Sequence, residues 1–113
     1  LSNPDENRFK LICKLSDLPN GRGKRFLVSD IEVAVFKMDE DIHALCNVCP
    51  HQHFNLIYDG IVEDGCVVCP IHGWRFNLQT GKNPDGGRGL EIYPIKVVDE
   101  NVYIKVPETK RLW

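Results

Sequence analysis

Ile31-Glu32-Val33-Ala34-Val35-Phe36-Lys37, a turn at Met38-Asp39-Glu40-Asp41, and Ile42-His43-Ala44-Leu45-Cys46 read as a hairpin. Two short runs, rich in β-branched and apolar residues and separated by acidic turn residues, leave no room for an amphipathic helix. The same grammar extends outward. Upstream, Arg8 to Leu15 partly alternates and predicts a strand, Leu18-Pro19-Asn20-Gly21 a turn, and Lys24 to Ser29 a second strand. Downstream, Gly60 to Cys69 predicts another hairpin, Arg75 to Gly81 ends in a turn, and Leu90 to Val98 with Val102 to Val106 flank Asp99-Glu100-Asn101 as a last hairpin. No window carries an apolar stripe of helical period over three turns. Nine glycines and seven prolines are spread between the runs, and many short strands so punctuated predict an all-β antiparallel sandwich or barrel. Gly81 to Gly89 is expected to be a surface loop; it lacks the Gly-Lys-Ser/Thr that opens a phosphate-binding helix.

The chain has 113 residues, enough for one domain over 1–113. A net charge of −2 supplies no basic field for nucleic acid, and no apolar run approaches the ~20 residues that span a bilayer. Leu1 to Asn7 has neither the basic nor the apolar region of a signal peptide, so a cytoplasmic location is expected. In that reducing compartment five cysteines, an odd number, point to metal before disulfides.

Two metal sites compete for the same residues. Cys46-Asn47-Val48-Cys49 and Cys66-Val67-Val68-Cys69 make two C-x-x-C pairs sixteen residues apart, the spacing of a four-cysteine zinc or one-iron site. Alternatively, Cys49-Pro50-His51 and Cys69-Pro70-Ile71-His72 offer two Cys and two His, the set that binds a [2Fe–2S] centre with histidines on one iron. Cys46 continues the face of Ile42 and Ala44, and Cys66 opens an apolar strand, so both have a packing explanation. Cys49 and Cys69 are each followed by Pro, which ends the strand, and each loop presents a His within three residues. Gly73 follows the second His, where a tight turn needs freedom. Matching loops of this kind favour the mixed site, with the cysteine-only site and no metal as the remaining readings.

Those two loops, together with Gly73-Trp74-Arg75-Phe76, Leu78 and Thr80-Gly81, resemble the Rieske iron–sulfur family, and more narrowly its ferredoxins. Leu90 to Val97 and Asn101 to Ile104 resemble the closing strands of that group. The likeness covers about residues 31–106. It implies a Rieske-like antiparallel β-sandwich with a cluster-binding subdomain of two loops, about 46–56 and 66–76. It also implies one [2Fe–2S] cluster, with Cys49 and Cys69 on the inner iron and His51 and His72 on the outer. Where these ferredoxins often carry a basic residue and then Gly after the first His, this chain has Gln52 and His53.

Two thiolates and two neutral imidazoles leave the oxidised cluster formally neutral, so an electron is accepted more readily than with four thiolates. High-potential members add a disulfide between the loops; here Phe54 and Ile71 stand in those places. Trp74 and Phe76 stand where those members place hydroxyl donors. The resemblance therefore implies a potential at the low end, on the order of −150 mV. It should fall as pH rises through the histidines' oxidised-state pKa values.

Residues 46–56 and 65–74 contain no Asp, Glu, Lys or Arg, which predicts docking by shape and apolar contact at the tip. His53 reads as a loop-surface residue, His43 as structural, Cys13 as a buried free thiol, and Arg22, Lys24 and Arg25 as a solvated turn. The expected function is a non-enzymatic electron carrier, a monomer that docks transiently between a reductase donor and a ring-hydroxylating oxygenase as acceptor. The alternatives are a small Rieske subunit of a larger reductase, such as nitrite reductase, and a structural zinc domain on Cys46, Cys49, Cys66 and Cys69. Length argues against an oxygenase α-subunit, whose mononuclear iron needs a further domain.

Overall fold

The 31–46 hairpin forms the middle layer of the protein. In the computed structural model, which describes residues 9–50, 54–71 and 73–107, β3 (Ile31–Met38) pairs antiparallel with β4 (Asp41–Cys46), Val33 opposite Cys46 and Met38 opposite Asp41. Val33, Ala34, Val35 and Phe36 are all fully buried. A strand buried on both faces needs a layer on each side, and the side-chain alternation divides these residues between two cores. Val33 and Val35, with Ala44 of β4, join Leu18, Val28, Tyr93, Val102 and Ile104. Ala34 and Phe36, with Leu45, join Ile57, Val67, Phe76, Leu78 and Leu90.

Three antiparallel sheets supply those layers. The central sheet runs β2 (Gly23–Val28), β3, β4, β8 (Ile92–Tyr93). The first core lies between it and β1 (Phe9–Lys14), β10 (Asn101–Lys105) and β9 (Ile95–Val98), which pair in that order. The second lies between it and the small sheet of β5 (Ile61–Glu63), β6 (Cys66–Val68) and β7 (Arg75–Asn77). Single 3₁₀ turns at Leu15–Asp17 and Ile57–Asp59 complete the described structure. The all-β sandwich class and the predicted hairpins are present. Among the described residues no helix is long and apolar enough to cross a membrane.

One sequence expectation needs correction. Leu90 to Val98 is not one strand. Pro94, which has no N–H to donate, divides it into β8, paired with β4, and β9, paired with β10. The 81–89 segment is the surface loop the sequence predicts, closed at a buried neck by Gly81 and Leu90. The Leu90 N–H donates to the Gly81 carbonyl at 2.7 Å, and Gly81 has φ +74°. A Cβ there would stand 2.0 Å from the Leu90 carbonyl oxygen, so only glycine fits.

Candidate metal centre

Two chain segments leave the second core and return to it. The first follows β4 and contains Cys49; the second follows β6 at once and begins with Cys69. Neither cysteine is in a disulfide, both are 2% exposed, and both belong to the core between the central and small sheets. The loops close alike. The Cys49 N–H donates to the Phe54 carbonyl at 3.0 Å, and the Cys69 N–H donates to the Trp74 carbonyl at 2.7 Å. Each bond spans five residues and brackets the position of one candidate histidine. In the second loop the Gly73 N–H also donates to the Cys69 carbonyl at 3.0 Å, with Gly73 at φ +72°. His51, Gln52, His53 and His72 lie outside the described residues.

Two buried thiols in one core, each at the mouth of a loop turned by Pro, form half of a soft-metal ligand set. Uncompensated burial would raise a thiolate's energy, whereas an iron ion supplies the missing positive charge. The donor set therefore fits an iron–sulfur group that takes two sulfur ligands from the described chain.

The four-cysteine alternative does not form. Among the described residues, which include all five cysteines, no three metal-capable side chains gather. Cys46 lies along β4 beside Ile42 and Ala44, packed against both cores, with its Sγ 3.8 Å from the Val48 carbonyl oxygen. Cys66 is buried in β6. Both are the packing residues their strand positions predict. Cys13 is half-buried rather than buried, and burial pushes its thiol above the usual value. His43 is half-buried too, and burial lowers its imidazole below the ordinary histidine value, which keeps it neutral at pH 7.

Sequence reading missed a polar clamp under the first loop. Asn47 is fully buried. Its Nδ2 donates to the Glu32 Oε1 at 3.0 Å and to the Asn55 carbonyl at 3.1 Å. Its Oδ1 accepts from the Tyr58 N–H at 2.8 Å. Its backbone N–H donates to the Glu32 carbonyl at 3.0 Å, and its carbonyl accepts from the Ile57 N–H at 3.3 Å. Every polar group it owns is used. Glu32 in turn receives Arg25 Nε at 2.7 Å on Oε1 and Arg25 Nη2 on Oε2. The Arg25 hydrogen bonds, and secondarily the one from Asn47, hold the Glu32 carboxyl below its usual value, although burial opposes them. Two members of the basic cluster thus have partners: Arg25 is a strut on Glu32, and Lys24 Nζ donates to the Asp17 carbonyl at 3.3 Å. The sole sequence signal was an amide residue between two apolar cysteines.

At the surface Phe54 and Ile71 are 46% and 38% exposed, so each charge-free loop offers an apolar side chain. Trp74 is half-buried, packed against the second core. A Cβ on Gly87 would lie 3.7 Å from its ring, so the 81–89 segment flanks the second loop.

Against known proteins, a family model described as Rieske-like [2Fe-2S] domain matches residues 8–105. The ferredoxin component of the alkene monooxygenase system of Xanthobacter autotrophicus is 32% identical over 102 residues, 88% of this chain and 83% of that one. The 3-phenylpropionate/cinnamic acid dioxygenase ferredoxin subunit of Photorhabdus laumondii is 35% identical over 100 residues, 86% of this chain and 93% of that one. The solution structure of the nitrite reductase [NAD(P)H] small subunit from Erwinia carotovora superposes with a TM-score of 0.76 at 28% identity, covering 91% of this chain and 85% of that one.

Proposed function

The chain belongs to the Rieske-like [2Fe–2S] domain family, and from that premise we propose that it is a non-enzymatic electron carrier feeding an oxygenase. One Rieske-type [2Fe–2S] cluster comes with the family; when bound, such a cluster takes up and gives back one electron. Cys49 and Cys69 hold one iron through sulfur, and His51 and His72 hold the other. A single domain carries both loops, about 46–56 and 66–76. The observation behind this assignment is the pair of buried cysteines in one core, each heading a loop closed five residues on.

The chain's own residues hold and insulate. Phe36, Leu45, Val67 and Phe76 keep water from the cysteine side, while the charge-free loop tips approach a partner. Phe54 and Ile71, both exposed, suit a small transient contact with a reductase on one occasion and an oxygenase on another. The oxygenase assignment draws on the two ferredoxin relatives, both of oxygenase systems. The expected compartment is the cytoplasm.

The likeness to the Erwinia small subunit supports a second reading, a fixed redox subunit of a reductase. Purification from native cells separates the two: a free monomer favours the carrier, obligate co-purification with a large reductase the subunit. Iron and acid-labile sulfide analysis with EPR tests the cofactor assignment. Two irons and two sulfides per chain are expected, with the low average g of mixed His/Cys ligation. Protein-film voltammetry should give a potential on the order of −150 mV at pH 7; a value above zero would contradict the low-potential reading.

A further inference from the structure

The first loop is tied to the central sheet by a chain of side chains that begins in the core and ends in solvent. Asn47 stands two residues before Cys49 and reaches forward to Asn55 and Tyr58, so one amide grips both stems of the loop. The same amide grips β3 through Glu32, and Glu32 is held by Arg25 of β2. The Glu32 side chain is 14% exposed and that of Arg25 49%.

We propose that Asn47, Glu32 and Arg25 are positioning residues that fix the first cluster loop against the central sheet and thereby set the electronic properties of the bound cluster. This rests on the assignment of Cys49 and His51 as ligands. A fully buried amide with all its donors and acceptors used has one orientation, and that orientation fixes the spacing between the stems at Asn47, Asn55 and Tyr58. Along the chain, both ligand positions fall between those stems. Groups that orient ligands without touching the metal alter its affinity and potential. An anchor that only stabilised the fold would leave the spectrum of the cluster unchanged.

The test uses the purified holoprotein. Asn47→Asp keeps size and the acceptor for Tyr58, but removes the donors to Asn55 and Glu32 and sets two carboxyl groups face to face. The expected results are shifted EPR g-values in the reduced protein, a shifted midpoint potential, and cluster loss to a chelator at least tenfold faster. Adding Glu32→Gln returns a donor between the two side chains and should recover most of each shift. Lowered urea stability with wild-type g-values, potential and chelator half-life would overturn the proposal. So would a double variant no closer to wild type than Asn47→Asp alone, since the relay would then not run through Glu32. Should Asn47→Asp fail to fold, Glu32→Gln and Arg25→Met read the same quantities in milder form, and no spectral change in either overturns the relay. Cys49→Ser separates the two claims. A wild-type cluster in that variant overturns the ligand assignment and the relay with it. A lost cluster there, with unchanged Asn47 and Glu32 variants, overturns the relay alone.

Discussion

The loop after β4 and the loop after β6 start from the same chemistry, a buried cysteine followed by proline and a main-chain bond five residues ahead, yet they are supported differently. The first rests on a side chain. Asn47 sutures its stems and hands the load to Glu32 and Arg25. The second rests on backbone and shape: a glycine at positive φ, a second bond back to Cys69, and a tryptophan lodged between the core and the 81–89 segment. A buried polar clamp is specific but fails sharply when one member is removed. Glycine turns and apolar contact fail in proportion to strain and volume.

Perturbations of decreasing size separate the two supports. The largest should ignore the difference: Cys49→Ser and Cys69→Ser are each expected to abolish the cluster, read as iron and sulfide per chain. Retention in one of them would break the symmetry between the loops. Next comes the neck beside the second loop. Gly81→Val puts side-chain atoms where a Cβ already lies 2.0 Å from a carbonyl oxygen at φ +74°. It should cost about 4 kcal/mol in urea unfolding. Asn47→Ala strips the first loop of its clamp and leaves buried groups unpaired, at a cost of about 2–3 kcal/mol. Amide exchange should rise at Tyr58, while Trp74 and its neighbours keep their protection.

Gly73→Ala is milder. Among the described residues no atom lies within 4 Å of the added Cβ, so the strain comes from the left-handed backbone, at about 1 kcal/mol. The smallest effect is a pH dependence carried by Glu32. Its carboxyl is lowered from the ordinary 4.5 by Arg25 and Asn47. The unfolded chain therefore binds the proton first on acidification. The stabilisation is present above pH 4.5 and is lost as pH falls through the folded value. Glu32→Gln should flatten that part of the acid limb in stability measured against pH; an unchanged limb would show that the first loop does not feel this carboxylate.

Local pattern carried much of this protein. The 31–46 hairpin, the strands around it and the packing roles of Cys46 and Cys66 were legible because each follows from alternation or from a turn residue nearby. The cysteine half of the candidate site was legible for the same reason: Cys-Pro at two strand ends is a local signature. His51 and His72 rest on that signature and on the family. Pro94 was visible, but its consequence was not. A proline can interrupt a strand, yet which sheet each half joins depends on partners at residues 44–45 and 101–104. Gly81 read as an ordinary loop residue because the carbonyl that excludes its side chain comes from Leu90, nine positions on.

The two Cys-Pro loops and the frequent turns were enough to determine an all-β chain and to nominate Cys49, His51, Cys69 and His72 as candidate ligands, since strand period and ligand spacing are written in neighbouring residues. Tertiary structure alone decided that β3 is buried on both faces, that Cys49 and Cys69 share one core while no four-cysteine site gathers, and that Asn47 is a clamp. The physical reason is distance along the chain. Residues 25, 32, 47, 55 and 58 satisfy one another's hydrogen bonds only after three sheets have packed, and no local propensity encodes that meeting.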